Sequence, residues 1–222
     1  MAFLGSAALL LAFDIVPDAI VEHDDWHTHE HLPERLAIPG FLRGSRWVAV
    51  QGAPRYVVVY EVAELASLTS AAYLDRLDHP TAWTSKMMAH YRGMTRGLCA
   101  VAGSWGAGMG SVMYVIRFDA AFDAFPALRA RLLDEVGPGL PAKRGLGSVH
   151  VLEGTVNAPM TNEQRIRGRD ATVAAALLIG GYEAQAVSES AHAILGSAEG
   201  PGVAAHGLYR LDYAVSHDDL GR

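Results

Sequence analysis

The stretch "FLRGSRWVAVQGAPRYVVVYEV", Phe41 to Val62, decides how the rest of the chain is read. Two runs rich in β-branched and aromatic residues flank "QGAP", a glycine–proline turn signal, so the stretch predicts a β-hairpin. Upstream, "AALLLAFDI" (Ala7–Ile15) is a continuous apolar run of strand length. Between them, "DAIVEHDDWHTHEHLPERLA" (Asp18–Ala37) carries helix formers, with Asp18 after Pro17 as the expected N-cap. Downstream, "LTSAAYLDRLDHPTAWTSKMMAHYRGM" (Leu68–Met94) predicts a helical region interrupted at Pro80, and "GLCAVAGSW" (Gly97–Trp105) a last strand. The order is β-α-β-β-α-β, the ferredoxin-like unit.

The glycine-rich "GAGMG" (Gly106–Gly110) marks a boundary, after which the order repeats. "SVMYVIRFD" predicts a strand, and "DAFPALRARLLDEV" a helix with Leu128, Leu132 and Val136 on one face. "GLGSVHVLEG" and "ATVAAALLIGGYE" are the next strands, "AVSESAHAILG" a short helix, and "GLYRLDYAVS" the final strand. Expected, therefore, is an α+β fold: two ferredoxin-like βαββαβ units, residues 1–105 and 111–222, fused in one chain. Each unit covers one sheet face with helices and leaves the other apolar face needing a partner. Two units can supply each other, sheet to sheet, as an α+β barrel. Six of the ten histidines fall in the first unit, which makes it the expected site and the second mainly scaffold.

Composition removes several function classes. A formal net charge of −6 and the absence of a Lys/Arg cluster argue against a nucleic-acid surface, with "RIRGR" (Arg165–Arg169) read as a loop. The single Cys99 excludes an internal disulfide and any CxxC metal site, and makes a cytoplasmic setting the default. "MAFLGSAALLLAF" lacks the basic flank of a signal peptide and is too short to span a bilayer, so it reads as a buried strand with no membrane role. "GAGMG" lacks the Lys-Ser/Thr of a phosphate loop and precedes a strand. No G-x-S-x-G occurs, and Cys99 lies inside a strand, which leaves hydrolysis without a nucleophile. "EGTVNAPMTNEQ" (Glu153–Gln164) reads as a polar hairpin loop long enough for a lid.

Four histidines, 23, 27, 29 and 31, fall within nine positions. His23, His27 and His31 share one helical stripe, but at 1.5 Å rise per residue they span about 12 Å, too far for three to share one ion. Any metal would take an adjacent pair and a ligand from elsewhere, so no metal site is expected. For acid–base chemistry, the helical wheel puts His29 beside Val21, Leu32 and Leu36 on the apolar side, with the other three pointing elsewhere. Pro33 removes the amide that would reach the carbonyl of His29, so the wheel loses authority beyond residue 30. Glu30 could orient an imidazole, and Arg46, Tyr73 or Tyr91 could stabilise a developing oxyanion. Trp26, His27, Trp83, Met87 and His90 are the expected pocket lining.

"DDWHTHEHLPERLAIPGFLRGSRW" resembles the first helix and following strand of the dimeric α+β barrel superfamily, nearest to EthD-like proteins. Those carry an aromatic residue ahead of a His-x-Pro near the end of the first helix, here Trp26 and His31-Leu32-Pro33. "HPTAW" (His79–Trp83) and "YRGMTR" (Tyr91–Arg96) resemble a fused, two-unit branch. The resemblance rests on motifs for the first hundred residues and on architecture for the second hundred. It favours His31 where the wheel favours His29, and both stay open. It implies a superfamily of cofactor-free isomerases, polyketide cyclases, monooxygenases and haem enzymes. The expected function is a cofactor-independent lyase or isomerase that moves a proton by His31 or His29 on a small hydrophobic cyclic or polyketide-like substrate. The alternatives are a haem or apolar-ligand binder without turnover, and a metal-dependent enzyme using the His23–His31 cluster. Beyond the small molecule, the one partner expected is a second copy of the chain.

Overall fold

The computed structural model describes residues 3–118, 125–155, 160–196 and 203–221. In the first unit β1 (Ala7–Ile15) leads into a helix made of α1 (Ile20–Trp26), a π turn (His27–His31) and α2 (Leu32–Leu36). The hairpin β2 (Phe41–Gly52) and β3 (Tyr56–Val62) follows, then α3 (Ala71–Asp78), α4 (Ala82–Met88) and β4 (Tyr91–Gly106). Pro80 separates α3 from α4, and the side chains of Ser70 and Thr81 cap their first turns through the amides of Tyr73 and Thr84. In the second unit come β5 (Val112–Phe118), α5 (Phe125–Arg131), a π turn (Leu132–Val136), α6 (Gly137–Gly139) and β6 (Leu146–Gly154). The chain ends with α7 (Asn162–Arg167), β7 (Ala171–Thr172), β8 (Ala175–Gly181), α8 (Ala184–Leu195) and β9 (Val203–Ser216).

Each unit forms a four-stranded antiparallel sheet, ordered β4-β1-β3-β2 in the first and β6-β8-β5-β9 in the second. Two strands are long enough to belong to both sheets. β4 pairs with β1 through Tyr91–Ala100 and with β6 through Cys99–Gly106. β9 pairs with β5 through Val203–Arg210 and with β2 through Gly207–Ser216. These two seams close the sheets into one barrel of eight antiparallel strands, with β7 added in parallel beside β4. The expected pair of fused ferredoxin-like units, sheet against sheet, is the observed architecture.

Side-chain alternation then sorts the core into three layers. Leu9 and Phe13 of β1 face the helices of the first unit, whereas Leu10 and Ala12 face the barrel interior beside Trp47, Met113 and Leu178. Tyr114, Ile116 and Leu177 face the helices of the second unit. β3 and β8 are buried at every residue because helices cover one face and the opposite sheet the other. That is why their sequences are apolar throughout instead of alternating. Among the described residues no helix is long and apolar enough to cross a membrane.

Several local expectations are corrected. Asp18 does not cap the first helix: it lies in a tight 3₁₀ turn (Pro17–Ala19), and α1 starts without a side-chain cap. Pro33 does not stop the helix either. Its missing amide is absorbed by the π turn, in which the amide of Leu32 reaches back five residues to His27. Tyr91 begins a strand and does not end a helix, because Tyr91 and Arg92 pair with Ile15 and Asp14. Within the Glu153–Gln164 segment, residues 156–159 lie outside the described residues. From Asn162 the chain forms α7, so Arg165 and Arg167 are helical.

Gly106 ends β4 with φ +92°, where an added Cβ would lie 2.0 Å from the carbonyl oxygen of Gly147. Gly108 has φ +69° with open space around it. Gly108→Ala should cost about 1 kcal/mol through the left-handed backbone alone. Gly106→Ala should cost about 2–3 kcal/mol, because the facing strand must also move. Urea unfolding of the two variants checks this order.

Candidate functional site

The helix α1–π–α2 lies across the β1–β3 face of the first sheet, and its inner side carries His23, His27 and His31. All three are buried, and their rings form a column with centroids 5.4 Å apart at each step. The π turn keeps the column straight. Four residues of π helix make almost one full turn, so His31 lies over His27 instead of drifting round the helix. The wheel expectation is therefore reversed. His29 points to solvent, its side chain 70% exposed and its Nδ1 turned to Asp25, and Val21, the residue that marked the apolar side, is 83% exposed.

Hydrogen-bond partners assign the tautomers. Asp24 can only accept, so Nδ1–H of His23 donates to its Oδ1 at 3.0 Å. Nε2 of His23 then accepts from the Tyr91 hydroxyl at 3.3 Å. Arg46 can only donate, and its Nη1 lies 3.4 Å from Nδ1 of His27, so that ring carries its proton on Nε2. Arg46 also binds the carbonyl of Asp24 at 3.0 Å and the carboxylate of Asp212 at 2.9 Å. Burial lowers the pKa of His23, and it lowers those of His27 and His31 well below the usual imidazole value, with Arg35 adding to the effect on both. Burial works against ionisation of Asp24 too, yet hydrogen bonds from His23 and from Tyr56 (2.7 Å) hold its carboxyl below the usual range. The column is neutral at physiological pH.

His27, His31 and Tyr91 form part of the wall of a narrow cavity between helix and sheet. Arg35, Tyr60, Tyr73 and Arg96 complete its polar lining from the first unit, and Thr161, Glu163 and Arg167 reach in from the second. Leu9, Leu77, Met88 and Met94 supply apolar wall. Arg35 is ion-paired with Glu163 across the two units; burial disfavours its charge, but the Glu163 carboxylate together with Tyr73, Tyr60 and Glu34 outweighs this and holds the guanidinium ionised. Arg167 makes a two-pronged pair with Asp170 at 2.9 and 2.7 Å. Arg96 donates to the Tyr73 hydroxyl at 3.4 Å and, among the described residues, has no carboxylate partner.

Among the described residues, three polar atoms sealed from solvent have no hydrogen-bond partner: Nδ1 of His31, Nη1 of Arg35 and the hydroxyl of Tyr60. All three belong to residues lining this one cavity. A carboxylate oxygen of Glu34 lies 3.6 Å from Arg35 Nη1, beyond hydrogen-bond reach. Orphaned buried polar groups are rare because each forfeits its hydration, so three in one cavity mark a place where a polar guest belongs.

Other expected site residues fall elsewhere. Glu30 orients no histidine, since its carboxylate accepts from Trp26 (3.1 Å), Thr81 (2.6 Å) and Thr84 (3.2 Å), tying the helix to α4. Trp26 packs against His31 behind the cavity wall, with ring centroids 4.4 Å apart and planes tilted by 39°. Trp83 donates to Glu22 at 3.2 Å, Met87 is core, and the half-buried His90 accepts the amide of Val16 through its carbonyl. Arg46 grips the far side of His27 and does not line the cavity. Tyr60, Arg96, Glu163 and Arg167 were not anticipated. Arg35, expected beside a histidine as a neighbour that tunes its pKa, lies four residues after His31 on the same stripe and lines the cavity.

The second unit repeats the frame without the chemistry. Its π turn, closed by the Gly137 amide on the Leu132 carbonyl, is also followed by a proline, Pro138. At the positions of His23, His27 and His31 stand Leu128, Leu132 and Val136. Leu140 replaces Arg35, and Ile179, the pairing partner of Tyr114, replaces Tyr60, the partner of Leu9.

Among the described residues no three His, Cys, Asp or Glu side chains are placed to hold a metal ion, so the histidine column does not fit a metal centre. A porphyrin does not fit a slot this narrow either, with the His31 ring packed against Trp26 at 4.4 Å.

No protein-family model matches the sequence, and no curated protein matches it. Solved structures do. An anthrone oxidase-like protein superposes with a TM-score of 0.64 at 14% identity, covering 98% of this chain and 96% of that one. A protein from Fusobacterium nucleatum named as a candidate monooxygenase gives 0.56 at 10% identity, covering 96% and 95%. A dye-decolorizing peroxidase from Bacteroides thetaiotaomicron gives 0.52 at 9% identity, covering 98% and 94%. At these identities the likeness establishes the fold.

The neutral histidines set a pH dependence. A base whose folded pKa is depressed binds its proton more readily in the unfolded chain, so stability present above pH 6.5 is lost as pH falls. Each histidine that stays neutral contributes a slope of about 1.4 kcal/mol per pH unit below 6.5. His31→Gln should reduce the slope of unfolding free energy between pH 6.5 and 5 by close to one proton. Denaturant titrations at a series of pH values measure this.

Proposed function

We propose that the protein is an enzyme that withdraws a proton from a small ring compound held in the cavity beneath the first helix, with an oxygen of that ring taking the resulting charge. The observation that carries this is that three residues lining one cavity each hold an unpartnered buried polar atom. In the tautomer protonated at Nε2, Nδ1 of His31 is a neutral imidazole nitrogen able to accept a proton. Arg35 Nη1 is a donor of fixed charge. Burial raises the pKa of Tyr60 far above its ordinary value, so its hydroxyl stays a donor. A ring ketone or phenol whose oxygen meets Arg35 and Tyr60 while its acidic hydrogen faces His31 satisfies all three at once.

The depressed basicity of His31 in the empty cavity is mainly the cost of an isolated charge in an apolar surround. An oxyanion forming beside it supplies the opposite charge, so proton transfer and oxyanion stabilisation assist each other. Leu9, Leu77 and Met94 provide the apolar surface against which a ring packs. The resemblance of Trp26 and His31-Leu32-Pro33 to EthD-like proteins supports the same histidine. The reaction expected from proton transfer alone is an isomerase or lyase step without a resident cofactor.

A second reading shares the first step. The anthrone oxidase-like neighbour favours a substrate whose deprotonated ring carbon reacts with dioxygen. Exchange of the acidic hydrogens of 2-tetralone with deuterated water under nitrogen, followed by NMR, reports the shared proton step. Oxygen uptake with anthrone under air reports the second reading. His31→Gln should slow exchange about 10²–10⁴-fold, the usual worth of a general base. Arg35→Met should slow it comparably, and His29→Gln should not. Unimpaired exchange in His31→Gln would sink the assignment, and oxygen uptake lost together with exchange would place oxidation downstream of it.

A further inference from the structure

A second, narrow cavity lies inside the barrel, on the opposite face of the first sheet from the histidine column. Its walls alternate with those of the first site. Val59 and Glu61 point into the barrel from β3, where Tyr60 points to the helices. The rim comes from Phe3 at one side and from Gly108–Gly110 at the other, so the glycine-rich linker between the units delivers Met109 to the barrel end. Trp47, Met113 and Leu178 make the apolar wall.

The polar groups inside are arranged to cancel. Arg43 gives Nε (2.7 Å) and Nη2 (2.6 Å) to one oxygen of Glu61, whose other oxygen accepts the amide of Leu4 at 2.8 Å. His150, 6% exposed, binds Ser104 Oγ through Nδ1 at 3.0 Å and meets Phe3 edge-on at 4.3 Å. Burial, aided by the nearby Arg43 charge, pushes its pKa down to about 3, so the ring is neutral. Two groups on β6 are left over. Among the described residues nothing pairs with Nε2 of His150 or with the hydroxyl of Ser148, which is buried and faces the same cavity. Gly180 keeps that hydroxyl uncovered, since a Cβ there would lie 2.6 Å from Ser148 Oγ.

We propose that the barrel interior is a second binding site, separate from the site under the helix, for an uncharged single-ring aromatic molecule bearing one hydroxyl. Trp47, Met109 and Met113 sandwich the ring. The hydroxyl donates to Nε2 of His150 and accepts from Ser148, satisfying both leftover groups. The self-neutralised Arg43–Glu61 pair and the neutral imidazole give a charged ligand no counterion, so a carboxylate or ammonium analogue is rejected.

The test is 4-fluorophenol added to the whole protein, read by ¹⁹F NMR and by the methionine methyl resonances. Met109 and Met113 report the barrel, and Met88 and Met94 report the site under the helix. Saturable shifts at Met109 and Met113 that persist in His31→Gln are expected, and 4-fluorobenzoate should produce none. Ser148→Val should weaken binding roughly tenfold, the worth of one hydrogen bond in a closed cavity. Should that variant fold poorly, the methyl map on the unaltered protein decides alone. Shifts confined to Met88 and Met94, equal binding of the benzoate, or no saturable shift would each overturn the proposal.

Discussion

Each βαββαβ unit can cover only one face of its sheet with its own helices, and the other face must be removed from water by something else. Here the covering is internal. The inner faces of the two sheets meet around Leu10, Trp47, Met113 and Leu178, and β4 and β9 run on past the edge of their own sheet to pair with the other. That closure satisfies the edge strands and forces every helix to the outside. It leaves two kinds of enclosed space, one between helix and sheet and one within the barrel. Both cavities are consequences of the same burial.

The first of these spaces is shaped by a single missing amide. Pro33 cannot donate to the carbonyl four residues back, and the helix relieves the mismatch by widening for one turn instead of breaking. The widened turn aligns His31 with His27, and the column packs against Trp26 on one side and Tyr91 on the other. The same widened turn and proline recur in the second unit around Leu132–Val136, where the facing residues are aliphatic. The backbone device therefore belongs to the fold, and the histidines belong to the site.

Charge distinguishes the two cavities. Beneath the helix, Arg35, Arg96 and Arg167 face a space in which Glu163 and Asp170 answer only part of their hydrogen-bonding capacity. That leaves fixed donors where a negative oxygen can settle. Within the barrel, Arg43 and Glu61 neutralise each other and His150 carries no charge. The Arg35–Glu163 pair also ties α2 to α7, so the site under the helix is assembled from both units although its histidines come from one.

The fold was legible because it rests on local patterns: apolar runs of strand length, a turn at "QGAP", a helix break at Pro80 and a glycine-rich joint. Burial of one face per element dictates such patterns residue by residue, so a single sequence displays them. The wheel failed at His29 because a 3.6-residue period assumes a regular helix and Val21 lent it a false apolar side. Glu163, Arg167 and Tyr60 could not be anticipated, since they come from distant segments and carry no spacing relative to the histidines. The sequence by itself determined two fused βαββαβ units and a histidine-rich first helix. Only the tertiary structure decided which imidazoles are buried, which guanidinium meets them and which polar atoms go unpaired, because those depend on long-range packing across the barrel seams.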